Sequence, residues 1–93
     1  MRFGFHLSTA GGLLKAVRQA LERGCDALQI FAGSPRTWRR PPLDPREARR
    51  FRARVDELGL RPLVVHSPYL VNLASPDPDV RRRSVAAVLE DVR

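Results

Sequence analysis

The stretch RFGFHLSTAGGLLKAVRQALERGCDALQIF, residues 2–31, holds one complete strand–turn–helix–strand passage and decides how the rest is read. Arg2 to Leu7 is a short strand carrying the aromatic residues Phe3 and Phe5. Ser8, Thr9 and the Gly11-Gly12 pair break it and open a helix. In that helix Leu13, Leu14, Val17, Ala20 and Leu21 recur at helical spacing. Gly24 supplies the stop, and Ala27-Leu28-Gln29-Ile30-Phe31 follows as a second apolar strand.

The same unit then repeats. Ala32 to Pro45 is rich in proline and glycine and reads as a long loop. A second helix follows, with Ala48, Phe51, Val55 and Leu58 as its buried stripe and Arg46, Arg49, Arg50 and Arg54 mostly on its wet faces. Gly59 ends it, and Pro62-Leu63-Val64-Val65-His66 forms a third strand. The loop Ser67 to Pro76 leads to Asp77 and Asp79, acidic residues suited to a helix start. Val85, Val88, Leu89 and Val92 mark a third helix, expected to run to the last residue. Regular alternation of strand and helix calls for parallel strands joined by right-handed crossovers. Short apolar strands are expected where helices cover a sheet. Three units fit the start of either a doubly wound sheet or a barrel. A closed eight-unit barrel needs roughly 200 residues or more. The 93 residues are therefore expected to be a truncated piece, the first three units (β1α1β2α2β3α3) of a single domain.

Composition narrows the class without choosing a function. A hydrophobic fraction of 43% and a charged fraction of 29% exclude disordered and fibrous chains. No apolar run approaches the ~18–20 residues that span a bilayer, and the basic, aromatic opening is interrupted before a signal-like core develops. A cytoplasmic location and no membrane partner are the expectations. The single cysteine, Cys25, can form no internal disulfide and reads as a small buried residue at a strand entrance. A net charge of +7, carried almost wholly by arginine, permits an anionic partner, although arginines on helix faces are also simply solvated.

In parallel β/α folds, chemistry gathers where strands end and βα loops begin. His6 ends the first strand; Phe31 to Trp38 follows the second; His66-Ser67-Pro68-Tyr69-Leu70 follows the third. Both histidines of the chain are thus expected on one rim. A strand-end histidine can ligate a metal through one ring nitrogen while a hydrogen bond orients the other, or it can be a packed residue without a ligand. Zinc needs three or four protein ligands, and Asp26, Asp56 and Glu57 fall at the opposite ends of their units. Arg36 and Trp38, with Arg39 and Arg40, suit phosphate contact plus stacking or wedging against bases; equally, Trp38 could cap the core above solvated arginines. Tyr69-Leu70 poses the same choice. Gly11-Gly12 at a helix start invites an anion-binding reading, but it matches no phosphate-loop motif and a tight turn explains it.

Three segments resemble one known family. Gly4-Phe5-His6-Leu7-Ser8-Thr9-Ala10-Gly11-Gly12-Leu13 closely resembles the start of endonuclease IV, the metal-dependent apurinic/apyrimidinic endonucleases. Pro35-Arg36-Thr37-Trp38 with Pro42-Leu43 is similar to the loop after that family's second strand. His66-Ser67-Pro68-Tyr69-Leu70-Val71-Asn72-Leu73-Ala74 looks like its His-x-x-Tyr-Leu-(Ile/Val)-Asn-Leu segment. The order and spacing match along nearly the whole chain.

The resemblance implies a TIM (β/α)8 barrel that holds three zinc ions and cuts DNA 5′ to an abasic sugar in base excision repair. It implies that His66 is the first zinc-ligating histidine of a catalytic metal cluster. Arg36, Tyr69 and Leu70 match residues that enter the DNA at the lesion, and Trp38 shares the loop of Arg36 as a further DNA-binding residue. His6 matches a pocket position that supports the site rather than binding metal directly. The implied partner is double-stranded DNA with abasic sites, acted on by a monomer. Clustered metals generate a hydroxide nucleophile and stabilise attacking and leaving oxygens, and wedge residues lower the cost of extruding a damaged nucleotide. The other zinc ligands of the family have no counterpart in these residues, so the piece alone is expected to be inactive. Ser34-Pro35 also replaces the amide-bearing residues often found before the loop arginine. A sugar isomerase or epimerase on the same barrel is the alternative enzyme, and a non-enzymatic, salt-sensitive polyanion binder is the alternative without catalysis.

Overall fold

Helix ends set the frame. The computed structural model describes residues 1–39 and 41–92; Arg40, counted above with the loop arginines, lies outside them. The element order is β1 (Gly4–His6), α1 (Leu13–Glu22), β2 (Ala27–Ile30), α2 (Pro45–Glu57), β3 (Leu63–Val65) and α3 (Pro78–Asp91). After α1 and again after α2 the chain turns through a glycine with positive φ, Gly24 at 67° and Gly59 at 64°. Each turn closes the same pair of hydrogen bonds. Cys25 N–H donates to Ala20 C=O at 2.9 Å and Gly24 N–H to Leu21 C=O; Leu60 N–H donates to Val55 C=O at 3.1 Å and Gly59 N–H to Asp56 C=O. This is a Schellman closure, which satisfies carbonyls that would otherwise be left open and aims the chain back toward the sheet.

Helix starts use two different devices. Asp44 caps α2, its carboxylate accepting from Arg46 N–H at 2.9 Å, and Pro45 is already helical rather than the end of the loop. Asp77 caps α3 as expected, accepting from Asp79 N–H at 2.8 Å and from Val80 N–H. At α1 the cap position is Gly12, which has no side chain to offer. Instead Glu47, from the first turn of α2, reaches across and accepts from Leu13 N–H at 2.8 Å. Its charge also meets the positive end of the α1 dipole. The anion that the Gly11-Gly12 turn receives is the chain's own carboxylate.

The chain divides into two compact units. The first comprises Met1–Ile30 and Pro42–Val65 and contains the sheet with α1 and α2. Its strands lie in the order β1-β2-β3, all parallel, with Phe5 opposite Leu28, His6 opposite Gln29 and Gln29 opposite Val64. Alternation sends Leu28 and Ile30 into a core shared with Ala16, Val17, Ala20, Phe51, Val55 and Leu60. Arg2 ties the entry side, one guanidinium nitrogen donating to the carbonyls of Asp26, Gly59 and Arg61. Cys25 is half-buried against this core.

The expectation that helices cover the strands holds for β2 only. Phe3 and Phe5 are 67% and 56% exposed, and Leu63, Val64 and Val65 about two-fifths exposed. Among the described residues no strand pairs with the outer edge of β1 or β3, so their side chains lack neighbours on that side.

The second unit comprises Phe31–Pro41 and His66–Arg93, the segments that follow β2 and β3. Here α3 departs from its reading: Val92 is its C-cap, and Val85, Leu89 and Val92 are exposed while Ser84 and Ala87 are buried. Spacing in the sequence marked the helix correctly; the face that packs is the one carrying Ser84 and Ala87. No helix among the described residues is long and apolar enough to cross a membrane.

Candidate functional site

Loop Ser67–Pro76 owes its shape to Ser84. That hydroxyl is fully buried, donates to Val80 C=O one turn back in α3 at 2.7 Å, and accepts from Asn72 N–H at 2.8 Å. Asn72 in turn folds the loop on itself, its side-chain oxygen accepting from Ala74 N–H at 3.0 Å. Ser75, also buried, accepts from Asp77 N–H through its hydroxyl and from the Arg81 guanidinium through its carbonyl. A buried polar group satisfied on every side is costly to move, so the loop is held on α3 by a connected network. None of Ser84, Ser75 and Arg81 carried a motif; a serine inside a helix is ordinarily read as neutral filler.

The front of this loop meets the loop that follows β2. Tyr69 N–H donates to Pro35 C=O at 3.1 Å, which places the residues flanking Arg36 and Leu70 side by side. Phe31 presents its ring edge-to-face to His66, with centroids 5.1 Å apart, and to Tyr69, 5.5 Å apart. These are favourable aromatic geometries and hold both rings. His66 Nδ1 lies 2.6 Å from Ser67 C=O. A carbonyl only accepts, so Nδ1 carries the proton and the Nε2 lone pair is the one suited to a metal.

The expected DNA-contacting residues therefore fall into one unit. Arg36 is exposed on a turn closed by Ser34, whose hydroxyl accepts from Arg36 N–H, and Thr37 accepts from Arg39 N–H in the same way. Tyr69 is 68% exposed, whereas Trp38 and Leu70 are half-buried. Trp38 thus packs one part of its surface and presents the rest to solvent.

In the sheet unit, His6 stands at the C-terminal end of β1 beside Gln29 of β2, with Gln29 Nε2 2.9 Å from His6 Nδ1. The described residues bring together no group of three or more histidine, cysteine or acidic side chains able to hold a metal. His66 fits zinc as one ligand, with its tautomer fixed by Ser67, and one ligand is short of a site.

A three-stranded parallel sheet alternating with helices is the build of a β/α fold, a class in which chemistry gathers where strands end and βα loops begin. Comparison with known proteins makes this particular: residues 17–93 match the xylose isomerase-like TIM barrel model, and the chain belongs to that family. It is 48% identical over 90 residues to a probable endonuclease 4 of Methanoculleus marisnigri, covering 97% of this chain and 32% of that protein. It is 42% identical to one from Natranaerobius thermophilus, covering 91% of this chain and 30% of the relative. The crystal structure of endonuclease IV from Thermus thermophilus superposes with a TM-score of 0.90 at 45% identity, across 98% of this chain and 34% of that one. The chain spans about a third of the length of the curated relatives it matches.

Proposed function

We propose that these residues form the first three βα units of a single-domain, zinc-dependent endonuclease that hydrolyses the DNA backbone 5′ to an abasic site. The observation that carries this reading is the cluster in which Pro35 C=O binds Tyr69 N–H while Phe31 holds Tyr69 and His66. A ligand-competent histidine and an exposed aromatic wedge are thereby fixed by one shared ring. A small sugar offers such a wedge nothing to enter, which favours a nucleic-acid substrate over a sugar. Probable endonuclease 4 proteins at 42–48% identity support the same class.

In this reading each side chain has a part. Arg36, exposed on its serine-closed turn, meets backbone phosphate. Tyr69 and Leu70 occupy the space left by the extruded abasic nucleotide, and Trp38 stacks beside them. His66 donates its Nε2 lone pair to zinc, with Ser67 C=O holding the opposite ring nitrogen. Zinc, when bound, would supply Lewis-acid chemistry, activating water at neutral pH and offsetting charge on a phosphate. The remaining ligands of a three-zinc cluster come from the part of the relatives' length that this chain does not span. The reading takes the protein to act in the cytoplasm as a monomer on double-stranded DNA with abasic sites. The test is a duplex carrying one abasic analogue, offered to the intact zinc-loaded protein; a single nick 5′ to the lesion is expected, and an uncut duplex would end the proposal.

A further inference from the structure

The two histidines of the chain are held by opposite kinds of partner. Ser67 C=O can only accept, and it fixes the proton of His66 on Nδ1. Gln29 Nε2 belongs to an amide NH2 that can only donate, and it lies 2.9 Å from His6 Nδ1. For that bond to exist, His6 Nδ1 must carry the lone pair, and the ring proton must sit on Nε2. Gln29 reaches this place because parallel pairing sets it directly opposite His6, on the sheet face away from Leu28, Ile30 and the helices. The fold, rather than loop chance, sets the contact.

We propose that Gln29 is a positioning residue that locks His6 in the Nε2–H tautomer, making His6 a hydrogen-bond donor to an oxygen and not a metal ligand. The oxygen class is anionic, a carboxylate or a phosphate, because a neutral imidazole N–H oriented by a second bond pairs best with a charged acceptor. Which of the two is met rests on the nuclease reading; the tautomer and its dependence on Gln29 do not. A leucine at position 29 would keep the bulk but offer no donor, leaving both tautomers open. A glutamate would accept and so invert the ring, drawing the proton to Nδ1.

The experiment is a long-range proton–nitrogen correlation spectrum of the intact protein labelled with 15N-histidine, with His6 assigned by the signals lost in His6→Asn. We expect the Nε2–H pattern for His6 in the unaltered protein, the Nδ1–H pattern in Gln29→Glu, and an averaged pattern in Gln29→Leu. Zinc content should be unchanged in both Gln29 variants. An Nδ1–H pattern in the unaltered protein, or a His6 pattern indifferent to Gln29→Glu, would overturn the assignment. Loss of zinc from the Gln29 variants would do so by making His6 a ligand. If Gln29→Leu does not fold, the unaltered protein and Gln29→Glu still decide the matter. Failure to cut abasic DNA would leave these spectra, and the tautomer, as they stand.

Discussion

His66 and Tyr69 share one neighbour, Phe31, and the two are expected to separate cleanly under substitution. On the proposed reading, replacing His66 with alanine removes the nitrogen offered to zinc. Changes to groups that merely orient ligands cost about 10–100-fold in metal affinity or activity, and loss of a ligand should cost at least the upper end of that range. Zinc content and cleavage of an abasic duplex, measured on the same preparation, should fall together. Tyr69→Ala should leave zinc in place and weaken binding of the abasic duplex by about 1–3 kcal/mol, the usual worth of one base–aromatic stack. A titration against abasic and undamaged duplexes checks this, because the undamaged duplex should lose little.

Two elements of the fold depend on side chains that come from elsewhere in the sequence. The first turn of α1 is capped by Glu47, 34 residues downstream. Glu47→Ala should destabilise the chain by about 0.5–2 kcal/mol, the ordinary cost of losing a helix cap, and Glu47→Gln by less because its amide oxygen still accepts. Denaturant midpoints at constant slope measure both. Ser84→Ala strands Asn72 N–H, and a part-buried donor left without a partner costs about 1–3 kcal/mol. Faster amide exchange at Asn72 and Ala74, with α1 unaffected, would place that cost in the loop. At this scale the sequence was readable wherever a signal was local. Gly24 and Gly59 announced their turns, Asp77 announced its cap, and the strand–helix alternation announced the sheet. Glu47, Ser84 and Gln29 were not readable, because each acts across a gap of 12 to 34 residues that periodicity does not sense. Which face of α3 packs was likewise not readable: Val85 and Leu89, at helical spacing, are exposed, while Ser84 and Ala87 are buried.

For the molecule as a whole, charge and uncovered strands set the behaviour. The net charge is +7, and Arg46, Arg49 and Arg50 all lie exposed along α2. If the protein is the proposed nuclease, its DNA binding should weaken steeply with salt, log affinity falling by roughly 0.9 for each phosphate contacted per tenfold rise in salt. The exposed Phe3, Phe5, Val64 and Val65 and the open strand edges predict that these 93 residues by themselves self-associate. Sedimentation should show mass rising with concentration, and Val64→Lys should reduce it. Much of the candidate site was legible here, since His6, Arg36, His66 and Tyr69 all sit next to strand ends or on βα loops. The partner of His6 was not, because a hydrogen bond between neighbouring strands needs the register. The most direct measurement is gel-resolved cleavage of a duplex bearing one abasic analogue by the intact, zinc-loaded protein. We expect one nick immediately 5′ to the lesion, abolished by chelation and by His66→Ala; an intact duplex, with binding that does not distinguish lesion from undamaged DNA, would contradict the nuclease reading.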